Sequence, residues 1–265
     1  MNQQHNFFKK FLLACCMVFF ASHHTIAQKK ITIAVAANMQ YTIKALITEY
    51  QKVHAIKIDA VLGASGNLTQ QIMQGAPYDI FISADTSFPQ KLSERGFTTE
   101  VPKIYAQGEL VLWTTRYDIN LSQNLQLLLS NNIKSIAIAN PSTAPYGSAA
   151  QFILKKYNLY EKVASKLVTG ESITQTSQFI ATGAADIGFT AKSIVLSDAM
   201  KRKGKWIELN MHDYPPIRQA AVLLKYSQKN NYNEAKAFYD FLFSAKVKEI
   251  YKMFGYTPAP SKKEE

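Results

Sequence analysis

Apolar and polar positions along this chain follow two periods that take turns. Short apolar runs of strand character alternate with stretches in which apolar residues return every three or four positions, as on one face of a helix. The run Ile31–Val35 is followed by Ile43, Leu46, Ile47 and Tyr50 at helical spacing. Ile56–Leu62 leads into a helix through Leu68 and Ile72 that stops at Gly75, and Tyr78–Ser83 leads into Phe88 and Leu92 before Gly96. A second set begins at Glu109–Thr115. It continues with a helix near Leu121–Leu129, the strand Ser135–Ala139, a helix from Gly147 to Tyr157, the strand Lys166–Thr169, a helix from Ile173 to Thr182 and the strand Asp186–Thr190. Trp206–Leu209 and the long run Ile217–Leu224 are strands, and Asn233 to Phe254 reads as one helix with Phe238, Phe241, Leu242 and Ala245 inward.

Alternation of this kind, punctuated by helix-stopping glycines, predicts an α/β protein whose sheets are mainly parallel and covered on both faces. The runs Glu109–Thr115 and Ile217–Leu224 are read as two crossings between lobes, which brings the last helix back onto the first lobe. The predicted organisation is 28–108 plus 225–265 for lobe 1 and 109–224, crossings included, for lobe 2. Ligands in such sheets sit at the carboxyl ends of the strands.

The first 27 residues read as an export signal. Lys9 and Lys10 supply the positive start, Phe11–Ser22 is uncharged and apolar, and Thr25-Ile26-Ala27 offers small residues for cleavage before Gln28. The apolar stretch is shorter than the roughly 20 residues of a spanning helix. Leu12-Leu13-Ala14-Cys15 resembles a lipid-attachment box, but it lies too close to Lys10 to be favoured. Cys15 and Cys16 are the chain's 2 cysteines, so the mature protein has neither disulfides nor thiolate metal sites. Without Lys9 and Lys10, the 30 basic residues fall to 28 against 19 acidic ones. The surplus is scattered, in small clusters such as Lys201-Arg202-Lys203, Lys155-Lys156 and Lys262-Lys263, and no basic run is interleaved with stacking aromatics. That excludes a nucleic-acid groove and fits a solvated surface.

Four strand ends carry the chemistry. They are Ile31–Ala37 with Asn38, Val61-Leu-Gly-Ala-Ser65-Gly66, Ile136–Asn140 with Ala144-Pro-Tyr146-Gly147, and Leu167–Gly170 with Ser172-Ile173. Each is followed by a helix-like pattern, and helix starts present unpaired N–H groups at the positive end of a dipole. Ala36 and Ala37 leave room for a ligand at the main chain. Asn38 adds an amide, Ser65 and Tyr146 add hydroxyls, and Ile173 offers its N–H alone. All of these donors are uncharged. A donor-only pocket without carboxylates suits an anion that carries no proton and mismatches hydrogen phosphate. At about 1.5–3 kcal/mol per hydrogen bond to a charged group, roughly six or seven outweigh association costs of order 4–15 kcal/mol.

Taken together, the chain resembles the periplasmic molybdate-binding proteins of ABC transporters. The residues that carry the resemblance are Ala36-Ala-Asn38, Gly63-Ala-Ser-Gly66, Gly75-Ala-Pro-Tyr-Asp-Ile-Phe-Ile-Ser-Ala-Asp85, Lys91-Leu92 and Gly108-Glu-Leu-Val-Leu-Trp113. Further on come Asn140-Pro141, Ala144-Pro-Tyr-Gly147, Gly183-Ala-Ala-Asp-Ile-Gly-Phe189, Tyr214-Pro-Pro-Ile-Arg218 and Phe254-Gly255-Tyr256. The resemblance spans the mature chain. It implies a two-lobed type II periplasmic-binding-protein fold, binding of molybdate and tungstate, and delivery to a permease at the inner membrane by a monomer. It also implies an oxyanion site at Ala37, Asn38, Ser65, Tyr146 and Ile173, with no cofactor and no direct metal ligand. Two departures stand out. Some relatives carry a hydroxyl residue where this chain has Ala37, and one branch has a tyrosine where this chain has Ala191, a role that Tyr146 takes here.

Other readings are weaker. Only His54 and His212 remain outside the leader, too few for a histidine-rich metal site. Ser65 with His212 and Asp79 or Asp85 makes a nominal triad, but no nucleophile elbow surrounds Ser65, and the two aspartates are expected to brace the strand end. A protein that binds sulfate or an organic anion is the closest rival. A regulator's sensor domain would lack a reason for the leader.

Overall fold

The computed structural model describes residues 30–259, except 123 and 230. The leader 1–27, Cys15 and Cys16, the cleavage point before Gln28 and the tail 261–265 lie outside the described residues.

The chain opens with β1 (Lys30–Ala36), a 3-10 turn at Ala37–Met39, α1 (Thr42–Gln51), β2 (Lys57–Gly63), α2 (Ser65–Met73), β3 (Ile80–Ile82), α3 (Ser87–Glu94) and β4 (Lys103–Gly108). After Glu109 come β5 (Leu110–Thr114), β6 (Ile136–Ala139), α4 (Pro145–Lys156), α5 (Tyr160–Val163), β7 (Leu167–Gly170), α6 (Ile173–Ala181), β8 (Ile187–Ala191), α7 (Lys192–Val195) and β9 (Lys205–Glu208). The chain then returns through β10 (Ile217–Leu223), α8 (Tyr232–Phe241), α9 (Ala245–Met253) and β11 (Thr257–Pro258).

These strands make two sheets, in the orders β11-β4-β10-β3-β1-β2 and β7-β6-β8-β5-β9. Helices flank both, and the result is the two-lobed fold. The sheets are mixed rather than mainly parallel. β2, β1 and β3 run parallel, but β10, β4 and β11 each pair antiparallel with a neighbour. In the second sheet β7, β6 and β8 are parallel, and β5 is antiparallel to both β8 and β9. The cause is the route of the chain. It leaves the first lobe from β4 and re-enters it as β10, and a strand beside its own exit strand runs the other way.

That route also corrects a boundary. Ile217–Leu223 is not part of lobe 2 but a central strand of the first sheet, between β3 and β4. The crossings themselves are short: Glu109, and the segment 209–216 between β9 and β10. β4 was not read from the sequence. Its six residues, Lys-Ile-Tyr-Ala-Gln-Gly, have Lys103 and Ile104 exposed, so neither period stands out. The expected single C-terminal helix is two, because the Ser244 side chain accepts from Val247 N–H and starts α9 afresh. The helix expected over Leu121–Leu129 is a 3-10 turn, Leu125–Leu129, capped by Asn124.

Strand alternation sorts the cores. Ile31, Ile33 and Val35 face α1, α8 and α9, packing with Leu46, Phe238 and Tyr251. Ala34 faces the other way, with Phe81, Leu68 and Ile72. The second lobe's core around Leu112, Ile138 and Phe189 continues across the cleft through small residues of the first lobe, Ala36, Ala37, Ala64 and Ala84. Because alanines line the first lobe's rim there, the two backbones approach closely.

Candidate functional site

The four segments expected from the sequence meet between the lobes, joined there by Ala84. One pocket is lined by Ala36, Ala37, Asn38, Gly63, Ala64, Ser65 and Ala84 from the first lobe, and by Ala144, Pro145, Tyr146 and Ile173 from the second. All five residues singled out from the sequence are among them. The empty space is small, about 200 Å³ counting the solvent at its mouth. No lining residue carries a charge.

Three of the four segments open α-helices. Ser65 is the first residue of α2, after Ala64 in extended conformation at ψ 139°. Ile173 is the first residue of α6, and Ser172 caps it by accepting from Gln175 N–H at 3.4 Å. At these positions a helix has no acceptor of its own for the N–H. α4 starts at Pro145, which fits a first turn but brings no N–H, so this segment's donor is the phenol of Tyr146. The first segment differs from expectation. Ala37–Met39 is a single 3-10 turn, and the α-helix begins only at Thr42.

The two hydroxyls share an arrangement. Ser65 Oγ accepts from Ala84 N–H at 3.0 Å. Tyr146 Oη accepts from Gln219 Nε2 at 3.0 Å. In each case the protein fills the acceptor side of the oxygen, and among the described residues no acceptor takes its proton. Burial pushes the Tyr146 phenol well above its ordinary pKa, with the Tyr256 phenol adding to the rise. It remains a donor.

Asn38 does something other than expected. Its Nδ2 spends both protons inside the first lobe, on Gln219 Oε1 at 2.9 Å and Tyr256 Oη at 2.9 Å. Its carbonyl oxygen accepts from Ser193 Oγ at 2.9 Å and Tyr256 Oη at 3.2 Å. What remains is the main-chain N–H, together with the side-chain Oδ1, which is buried without a hydrogen-bond partner among the described residues. The amide side chain braces the site from behind.

Sequence reasoning missed that brace. Gln219, Tyr105 and Tyr256 are all buried, and Tyr105 Oη lies 2.7 Å from Gln219 Oε1 and 3.0 Å from the Ser83 carbonyl oxygen. Gln219 had a visible signal, as a polar residue at the head of the apolar run Ala220–Leu224. Tyr256 reaches Asn38 because Gly255 turns the chain at φ 73°.

The other candidates sit elsewhere. Asp79 Oδ2 accepts from Thr32 N–H at 2.8 Å and braces β1, and Asp85 accepts from Ser83, Ser87 and Phe88 at the start of α3. His212 lies in the turn Met211–Asp213. None of the three lines the pocket. Ala191 ends β8, fully buried and outside it.

Two lobes joined by two crossings, with a small neutral pocket between them, define a solute-binding architecture. Residues 31–257 match the model of the bacterial extracellular solute-binding protein family. The chain belongs to that family. It is 39% identical over 228 residues to the molybdate-binding protein ModA of Azotobacter vinelandii, covering 86% of this chain and 89% of that one. It is 37% identical over 231 residues to ModA of Rhodobacter capsulatus, covering 87% and 89%. The solved structure of the Azotobacter vinelandii periplasmic molybdate-binding protein superposes with a TM-score of 0.81 at 32% identity, covering 87% of this chain and 100% of that one. These relatives are named as binding proteins.

Proposed function

We propose that the mature protein binds one molybdate, or tungstate, dianion between its lobes and delivers it to an ABC permease at the inner membrane. The single observation that carries the reading is the pair of hydroxyls, Ser65 and Tyr146, each with its acceptor side occupied and its proton unspent. They stand at opposite walls of an uncharged pocket. A tetrahedral oxyanion without protons takes such donors from several directions at once. The N–H groups at Ala37, Asn38, Ser65 and Ile173 complete the set, and dipoles of α2 and α6 add favourable potential at their starts. The names of the relatives at 37 and 39% identity support molybdate over other anions. The site needs no cofactor, and no side chain ligates the metal directly.

Several contacts already join the lobes around this pocket. Gly66 N–H donates to the Thr143 carbonyl at 2.9 Å, Thr174 Oγ1 to the Ala37 carbonyl at 3.1 Å, and Ser193 Oγ to the Asn38 carbonyl at 2.9 Å. In our reading these lock the closed form around the anion. Export through the leader, periplasmic residence and action as a monomer belong to the same reading.

Titration calorimetry with molybdate, tungstate, sulfate and phosphate tests it. Molybdate and tungstate are expected to bind sub-micromolar at one site, with sulfate weaker. Tighter binding of sulfate than of molybdate overturns the assignment.

A further inference from the structure

We infer that Gln219 is a positioning residue for the anion: it fixes which way the hydrogen bond of Tyr146 points, and thereby favours a ligand without protons. The inference rests on the proposal that the pocket holds an oxyanion.

Gln219 is fully buried in β10, a strand of the first lobe, yet its amide reaches a side chain of the second. Its two ends are not interchangeable. Oε1 faces the donor Asn38 Nδ2 at 2.9 Å, and Tyr105 Oη at 2.7 Å, whose single proton is shared with the Ser83 carbonyl 3.0 Å away. Asn38 Nδ2 is itself held by Tyr256 Oη at 2.9 Å. Turning the amide over would set N–H against N–H at Asn38 and leave a buried donor unmet, which is unfavourable. The donor end therefore faces Tyr146, and Tyr146 must accept.

Backbone features serve this contact. The pairing of β10 with β4 shifts register between Gln219 and Ala220, a bulge of the kind that re-aims a side chain. On the neighbouring strand, paired with Ile217, Gly108 is the last residue of β4 before the first crossing. A Cβ at Gly108 would overlap both the Tyr146 hydroxyl and Gln219 Nε2, so the pair meets only because residue 108 has no side chain.

The consequence is chemical. A phenol that already accepts has one proton left, and Tyr146 lines the pocket. It presents O–H to the ligand and holds that role because Gln219 occupies its oxygen. A deprotonated tetrahedral dianion accepts this bond. Hydrogen phosphate, whose own proton needs an acceptor, finds none. Without the Gln219 amide the phenol is free to rotate and to accept from such a ligand.

The test is a double-mutant cycle on the full mature protein, by calorimetry with molybdate and with phosphate, using Gln219→Met, Tyr146→Phe and the double variant. Gln219→Met is expected to weaken molybdate about tenfold in the wild-type background and less than twofold in the Tyr146→Phe background. It is also expected to narrow the preference for molybdate over phosphate at least threefold, a readout that a general loosening of the core would not move. A tenfold loss in both backgrounds, or equal losses for both anions, overturns the inference and leaves the binding proposal standing. Failure of the wild type to bind molybdate overturns both. A measurement without any change at 219 guards against misfolding. The Raman Fermi doublet of Tyr146, from the wild-type minus Tyr146→Phe difference spectrum of ligand-free protein, is expected to be that of an accepting phenol. A doublet of a strong donor that does not accept overturns the inference.

Discussion

The main-chain N–H of Gly66, in the first turn of α2, donates to the carbonyl oxygen of Thr143 at 2.9 Å across the cleft. A Cβ at Gly66 would lie 2.9 Å from Thr143 Cα and 3.0 Å from the Phe88 ring. Neither neighbour is the loose end of a flexible chain, so the backbones must part to admit a methyl group. The Thr143 contact exists only when the lobes are joined, so Gly66→Ala burdens that state more than the separated one, where the Phe88 contact within the first lobe remains. Overpacking of this kind costs about 1–3 kcal/mol, or roughly five- to a hundredfold in affinity. The expected result is weaker molybdate binding by calorimetry and a larger radius of gyration by scattering at sub-saturating ligand. Wild-type affinity in Gly66→Ala would show that this contact does not bear on binding.

Ser65→Ala removes the hydroxyl that the Ala84 N–H holds in place. One hydrogen bond to a charged ligand is lost, about 1.5–3 kcal/mol, so affinity is expected to fall roughly ten- to a hundredfold. The same change leaves the Ala84 N–H buried without its partner. A lower melting temperature in the absence of ligand should accompany the weaker titration. Unchanged affinity would remove Ser65 from the site.

Both residues were within reach of sequence reasoning, for a reason the structure makes clear. Ser65 and Ile173 lie where a strand hands over to a helix, a junction that periodicity marks on its own. Their neighbours Gly66 and Ser172 are residues typical of such junctions. Asn38 shows the limit. Its position was legible, but the direction of its amide depends on Gln219 and Tyr256, 181 and 218 residues away in the chain. Tyr105 hid in a strand with no clean alternation, because β4 lies between β10 and the short edge strand β11 and exposes its first two residues. The lobe boundary near Ile217 failed likewise. An apolar run says that a strand is buried, not in which sheet.

Asp186, just before β8, anchors the second lobe. Its Oδ2 accepts from the Lys134 and Ser135 N–H groups at 2.6 and 3.0 Å, and its Oδ1 pairs with Arg116 at 2.8 Å. Burial pushes this carboxyl up, but the hydrogen bonds and the guanidinium outweigh it, and its pKa lies below the usual value. A carboxylate depressed by folding stabilises the native state above its unfolded pKa of about 3.9, and that contribution fades as the pH falls through the lower folded value. Asp186→Asn is expected to cost about 1–2 kcal/mol at neutral pH, or about 3–6 °C in melting temperature. The gap between wild type and variant should be constant from about pH 5 upward and close progressively below about pH 4. A gap that persists undiminished in acid would contradict this account.

Binding itself should ignore pH over a wide range. Of the eleven residues lining the pocket, Tyr146 is the only one whose side chain can ionise. Its phenol is held well above pH 10 by burial, with the Tyr256 phenol acting in the same direction. A raised tyrosine pKa keeps the donor present at every pH below it, so no proton leaves the site between about pH 6 and pH 9, given an unperturbed phenol near 10. The N–H donors do not titrate, and no Lys, Arg or His takes up a proton when the anion enters. Calorimetric enthalpies measured in buffers of different ionisation heat are therefore expected to coincide, and the molybdate affinity to stay constant within about twofold. In Tyr146→Phe the affinity should drop roughly ten- to a hundredfold, by about 1.5–3 kcal/mol, with the same flat profile. An affinity that falls tenfold per pH unit within this window would mean that a proton enters with the ligand. The donor-only pocket would then be the wrong description of the site.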